Sequence, residues 1–117
     1  AVKKAGAVVE VLQYEATAWT GLKVGQEKYY PTWVLPESHK LVGAALKAAE
    51  LVHGKPQKAS KWVFSTNGVA SAGRLKIPTV GFGPSNEIYA HTINEQMPVE
   101  HLLKAAVFYA ALPQYLK

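Results

Sequence analysis

The strongest constraint on the fold is an alternation of two periodicities along residues 37–112. The run ESHKLVGAALKAAELVH places Leu41, Ala44, Ala45, Ala48 and Val52 on one helical face. Glu37 falls in its first turn, and Gly54 supplies the stop. A second helix is expected in PVEHLLKAAVFYAAL, where Pro98 suits a first helical position. Leu102, Ala105, Ala106, Tyr109 and Leu112 share its apolar face, and Pro113 ends it. Between these helices lie KWVF and IPTV, two apolar runs of strand length, separated by TNGVASAGRLK, which has room for a short helix. The order helix, strand, short helix, strand, helix implies α/β layering around a largely parallel sheet.

The N-terminal third follows a different pattern. AVVEVLQYEATAWT is rich in β-branched and aromatic residues with partial alternation, which predicts a strand ending in a turn at Thr20-Gly21. GLKVGQEKYYPTW predicts a second extended segment, whose pairing Pro31 interrupts. Before them, AVKKAG reads as the last turn of a helix, with lysines at the negative end of its dipole and Gly6 as the terminator.

Composition removes several chemistries. The 117 residues contain no cysteine, which excludes disulfide frameworks, thiolate zinc sites and cysteine nucleophiles. All eight acidic residues are glutamate, so no Ser-His-Asp triad can be built from this chain. The charge of +5 comes from twelve lysines and one arginine, Arg74, spread singly except for Lys3-Lys4. Nucleic-acid binders cluster their basic residues, and these read as solvated surface lysines instead. At 49% hydrophobic residues there is enough apolar material for a packed core. No run of about 18 apolar residues offers a membrane span, and the apolar part of the N-terminus is too short for a signal peptide. The expectation is a soluble cytoplasmic protein with neither a nucleic-acid nor a membrane partner.

In a parallel sheet, functional loops sit at the carboxyl ends of strands. That rule selects STNGVAS after KWVF, and GFGPSNEIYAHTINEQ after IPTV. His91 lies in the second loop, among turn-forming residues, where an imidazole can be presented instead of packed. Gly81-Phe82-Gly83-Pro84-Ser85-Asn86 lacks the third glycine of a dinucleotide fingerprint, and Ser85 lacks the flanking glycines of a nucleophile elbow. No Walker-type lysine-threonine pair is present. What remains for His91 is a base, a metal ligand or a residue that closes the loop by hydrogen bonds. His39, His53 and His101 fall near helix ends and read as structural or solvent-facing. Trp19, Trp33 and Trp62 read as core. Gly81, Gly83 and Pro84 are expected to shape the loop through backbone geometry.

The run from KWVFSTNGV through AAVFYAAL resembles the C-terminal end of the zinc amidohydrolases and peptidases that include acetylornithine deacetylase, succinyl-diaminopimelate desuccinylase and glutamate carboxypeptidase. In that family one strand is followed by a turn like GFGP, and an A-H-x-x-N-E loop carries the last zinc-binding histidine. Ala90-His91-Thr92-Ile93-Asn94-Glu95 matches it position for position. AWTGLKVG, YYPTW and KWVFSTNGV are similar to the branch of selenium-metabolism hydrolases, so the likeness spans nearly the whole chain.

This resemblance implies a zinc-peptidase-like α/β catalytic domain interrupted by an α+β lid that mediates dimerisation. Residues 1–31 would be the end of the lid, and residues 32–117 the C-terminal segment of the catalytic domain. The chain would then be a fragment, since the HxD ligand motif, the bridging aspartate and the paired glutamates of the family are missing. The implied reaction is amide hydrolysis by a metal-activated water, with about two zinc ions per subunit and a glutamate base. Cobalt or manganese could replace zinc. The implied substrate is a small N-acyl amino acid or peptide-like molecule, and the implied partners are the missing N-terminal part and a second copy through the lid. His91 would be a zinc ligand, Asn94 and Glu95 would support its loop, and Thr66, Asn67, Gly68, Gly83 and Pro84 would line the cleft. No catalytic residue is assigned, so these 117 residues alone are expected to be inactive. Many family members carry an arginine where this chain has Val69, which puts recognition of a free substrate carboxylate in doubt.

Two other readings compete with this one. A small non-catalytic α/β domain could bind a ligand or another chain, with His91 only closing its loop. Alternatively, exposed strand edges in the N-terminal third could make association the main activity.

Overall fold

The computed structural model describes residues 6–117. The expected helical turn over residues 1–5 lies outside the described residues. The chain divides into two compact units, Ala1–Pro31 and Thr32–Lys117.

The first unit is built on a β-hairpin. Strand β1 (Gln13–Thr17) pairs antiparallel with β2 (Lys23–Glu27), with Gln13 opposite Glu27 and Thr17 opposite Lys23. The turn closes through Ala18 N to Leu22 O at 2.8 Å and Gly21 N to Ala18 O at 2.9 Å. Gly21 has φ 83°, a left-handed conformation that glycine adopts without a Cβ clash. Among the hairpin strands only Ala16 is even half-buried, and the Lys28 ammonium lies 5.6 Å from the centre of the Tyr14 ring. Trp19, expected in a core, stands on this turn at 98% exposure. A turn residue of a two-stranded hairpin has no opposing layer to enter.

The second unit packs helix α1 (Lys40–His53) against α2 (Val99–Ala111), and a 3-10 turn (Leu112–Tyr115) closes on both. Small residues let α1 approach closely: Val42, Ala44, Ala48 and Ala49 are buried. Ala48 and Ala49 cluster with Phe108, buried on α2, and Ala45, Val52, Phe82, Ala111 and Leu112 fill the edges. The start of α1 differs from expectation. His39, not the Glu37 turn, is the N-cap, and its Nδ1 accepts from Leu41 N at 3.1 Å. The expected stop holds, since Gly54 adopts φ 68° and its N–H returns to Glu50 O. Pro98 is the N-cap of α2 and not its first helical residue, and Glu100 in the first turn pairs with Lys104 one turn on.

The expected parallel sheet is not formed. Among the described residues the β1–β2 hairpin is the only sheet. KWVF bends at Val63 and Phe64, and residues 77–80 run without a ladder partner. A strand takes its stability from a neighbour's backbone groups, and within residues 32–117 no segment supplies them. The fold class is therefore mixed α/β, with strand-like segments left unpaired. The short helix expected in TNGVASAGRLK is present as a π-helix (Val69–Arg74), with Leu75 N bonded to Ala70 O at 2.9 Å. No helix among the described residues is long and apolar enough to cross a membrane.

Candidate functional site

The loop between residue 81 and α2 is held at both ends. At its start Phe82 stacks on Phe108 of α2, with ring centroids 3.9 Å apart, and stands 6.2 Å from the His53 ring of α1. The Tyr109 hydroxyl donates to the Phe82 carbonyl. One residue earlier, Gly81 lies beneath Trp62, where an added Cβ would meet the indole at 2.3 Å. Gly83 has neither a left-handed φ nor a neighbour within 4 Å of an added Cβ, so the geometric demand expected of it rests on Gly81 alone.

Beyond Pro84 the chain turns at Ser85, which holds φ 77°. Its backbone N–H donates to Nδ1 of His101 at 3.2 Å, and its hydroxyl donates to the Gln96 carbonyl at 2.9 Å. Asn86 then caps a single 3-10 turn (Glu87–Tyr89) by accepting from Ile88 N at 3.1 Å. Thr92 closes the next turn, donating from its hydroxyl to the Tyr89 carbonyl at 2.8 Å. An open groove of about 480 Å³ runs along this segment, with Ser85, Tyr89, Met97, Pro98 and His101 in its walls.

His91 sits inside the second of these turns, the one closed from Tyr89 to Thr92, with φ 61°. A left-handed conformation is uncommon for a residue with a Cβ, and histidine is among the few that tolerate it. Its side chain is exposed, and its imidazole takes no part in the side-chain hydrogen bonds, ion pairs or ring contacts found among the described residues. Both ring nitrogens are thus free to meet an external group. Asn94 and Glu95 are also exposed, and Glu95 N donates to Thr92 O at 3.3 Å. Side-chain hydrogen bonds within this loop come from Ser85, Asn86 and Thr92.

The second loop is built separately. Thr66 Oγ1 accepts from Gly68 N at 3.1 Å and Thr66 O accepts from Val69 N, a side-chain turn that opens the π-helix. Gly68 is buried against Trp33, where an added Cβ would fall 2.1 Å from the indole. Trp33 is fixed in turn by its Nε1 donating to Thr79 O at 2.9 Å, and Thr79 Oγ1 reaches Ser71 Oγ at 2.8 Å. Thr66, Asn67 and Gly68 share no hydrogen bond with Gly83 or Pro84.

The comparisons with known proteins give this geometry its context. Residues 3–115 match the peptidase family M20/M25/M40. The chain belongs to that family. The uncharacterized protein YgeY of Escherichia coli K12 is 47% identical over 113 residues, covering 97% of this chain and 28% of that protein. YgeY of Escherichia coli O157:H7 aligns with the same identity and coverage. The chain thus spans a little over a quarter of the length of the curated relatives it matches. No solved structure matches it.

The M20 family generally uses zinc or another divalent metal, so the donor set of this M20 chain can be tested against that requirement. An imidazole nitrogen is a good zinc donor, and those of His91 carry no competing hydrogen bond among the described residues. No group of three or more His or Glu side chains able to hold an ion occurs among the described residues. His91 thus has the donor chemistry such an ion takes, and the described residues do not bring two further donors to it. Sequence reasoning, which read His101 as structural or solvent-facing, did not find its Ser85 partner, nor the left-handed turn at Ser85. Their link spans 16 residues and leaves no short-range signal, although Pro84-Ser85 is itself a turn dipeptide.

Proposed function

We propose that this chain is the zinc-ligand-bearing C-terminal segment of an M20 amide hydrolase of deacylase or peptidase type. In this reading residues 32–117 complete the catalytic domain, and residues 1–31 end a lid through which two copies associate. The observation that carries it is His91, an exposed imidazole without partners, held at φ 61° at the tip of a loop pinned at both ends. A histidine that served only to close its loop would spend a ring nitrogen on a loop atom, and His91 does not.

When bound, the zinc would supply an activated water and polarise the scissile carbonyl. The residues of this chain bind and position. His91 would hold the ion through one ring nitrogen. The other nitrogen remains available for an acceptor that would fix ring orientation and tautomer. Thr66, Asn67, Gly68, Gly83 and Pro84 are proposed as cleft-lining residues. Thr66 and Gly68 act there through the backbone turn they share, and Pro84 through the rigid entry to Ser85. The general base is supplied from outside these 117 residues. The proposed substrate is an N-acyl amino acid or peptide-like amide, and the likeness of AWTGLKVG, YYPTW and KWVFSTNGV supports the selenium-metabolism hydrolase branch.

Large exposed apolar side chains agree with a chain that is part of a larger domain. On α2 the residues Val99, Leu103 and Val107 recur every four positions and remain uncovered. The test is metal content and hydrolysis of N-acyl amino acids by the full-length protein. His91→Ala should lower bound zinc and abolish most activity while the circular dichroism spectrum is kept. His39→Ala and His53→Ala should retain their zinc. Full zinc occupancy in His91→Ala would remove the ligand role.

A further inference from the structure

We infer that His101 is a positioning residue for the His91 loop, acting through the Ser85 amide. This inference rests on the reading of His91 as a metal ligand. Ser85 holds φ 77°, which a residue with a Cβ keeps only when its surroundings hold it there. Two bonds do so. Ser85 N donates to His101 Nδ1 at 3.2 Å, and Ser85 Oγ donates to Gln96 O at 2.9 Å. Residue 85 opens the His91 loop and residue 96 ends it, so this one serine ties the loop into a closed ring and His101 fastens the ring to α2.

The fastening point is rigid. His101 is half-buried in the first turn of α2, its own N–H donates to Pro98 O at 2.9 Å, and Ala105 and Phe108 on the same helix are buried. A path of bonded groups therefore runs from the helical core through His101, Ser85, Asn86 and the 3-10 turn to His91. The bond also selects a tautomer, because an accepting Nδ1 requires the proton of a neutral ring on Nε2. His101 lies ten positions beyond His91 and no contact joins the two rings, so its effect on metal binding passes through backbone geometry. Freeing Ser85 would let the loop relax and spread the directions that the His91 imidazole takes, and metal affinity depends on ligand orientation.

The experiment uses the full-length protein with zinc as the probe, in His101→Ala, His101→Phe, His101→Asn and His91→Ala forms. Three quantities are read: the zinc dissociation constant by chelator competition, zinc stoichiometry at saturation, and hydrogen exchange of the Ser85 amide. His101→Ala and His101→Phe should each weaken zinc binding about tenfold, speed exchange at Ser85 and leave saturating stoichiometry unchanged. Phenylalanine keeps the bulk of the ring without the acceptor, so it guards against a packing effect. His101→Asn should restore both affinity and protection, because its side-chain oxygen can accept where Nδ1 does. Wild-type zinc affinity in His101→Phe beside zinc loss in His91→Ala would overturn this inference alone. An asparagine variant as weak as the phenylalanine one would also overturn it, whereas full zinc in His91→Ala would remove the ligand reading beneath it.

Discussion

Phe82 and Phe108 stack almost parallel, with ring centroids 3.9 Å apart and planes 8° from parallel. That contact ties the entry of the His91 loop to the only fully buried large side chain among the described residues. Loop position and core packing are therefore one problem in this chain. Phe108→Ala should cost about 3–5 kcal/mol through the cavity it leaves. Phe82→Ala removes a half-buried ring and should cost less, about 1–2 kcal/mol. Denaturant titration of both variants checks the ranking, and equal losses would show that Phe82 is not the peripheral partner.

The two glycine–tryptophan contacts should respond differently to the same substitution. Trp33 is tethered by its bond to Thr79 O, whereas Trp62 is 44% exposed and its one ring contact is a stack on Phe64. Gly68→Ala pushes against a fixed indole and should destabilise by about 1–3 kcal/mol. Gly81→Ala pushes against one that can swing into solvent and should cost less. Melting temperatures of the two variants provide the check, and adding Trp33→Leu to Gly68→Ala should recover part of the loss.

Backbone conformation and side-chain chemistry can be separated at His91. Asparagine tolerates the left-handed region, so His91→Asn should keep loop stability near that of the native residue. His91→Val places a β-branched side chain at φ 61° and should cost about 1–2 kcal/mol. Both should lower zinc content alike if the imidazole is a ligand. Thermal melts paired with metal analysis separate the two effects.

How much of this was legible from sequence depended on the range of the interactions involved. Both long helices could be read because 3.6-residue periodicity is a local signal, and Gly54 marked a stop that the left-handed cap confirms. The parallel sheet was overread. KWVF and IPTV have strand composition, but pairing is a property of neighbours, and Val63 at 83% and Ile77 at 54% exposure have none here. Around His91, the motif marked the residue and its turn-rich setting. The clasp between Ser85 and His101 could not be read, because a backbone N–H meeting a ring nitrogen 16 positions away leaves no periodic trace.

The first turn of α2 carries a titration that can be followed directly. Lys104 donates a hydrogen bond to the Glu100 carboxylate and adds its positive charge, which together hold the Glu100 pKa below its ordinary 4.5. A depressed carboxylate stabilises the folded chain above its unfolded pKa, and the contribution is lost as pH falls from 4.5 through the lower folded value. An NMR titration should place the Glu100 midpoint below 4.5 in the native chain and move it upward in Lys104→Ala. The carboxylate is fully exposed, so solvent screening keeps its effect on stability small.

The most direct measurement is a crystal structure of the zinc-loaded full-length protein with an anomalous difference map collected at the zinc edge. A peak is expected about 2.0–2.1 Å from a ring nitrogen of His91, with the loop still clasped between Ser85 and His101. Zinc peaks held entirely by other residues, with the His91 imidazole away from any metal, would contradict it.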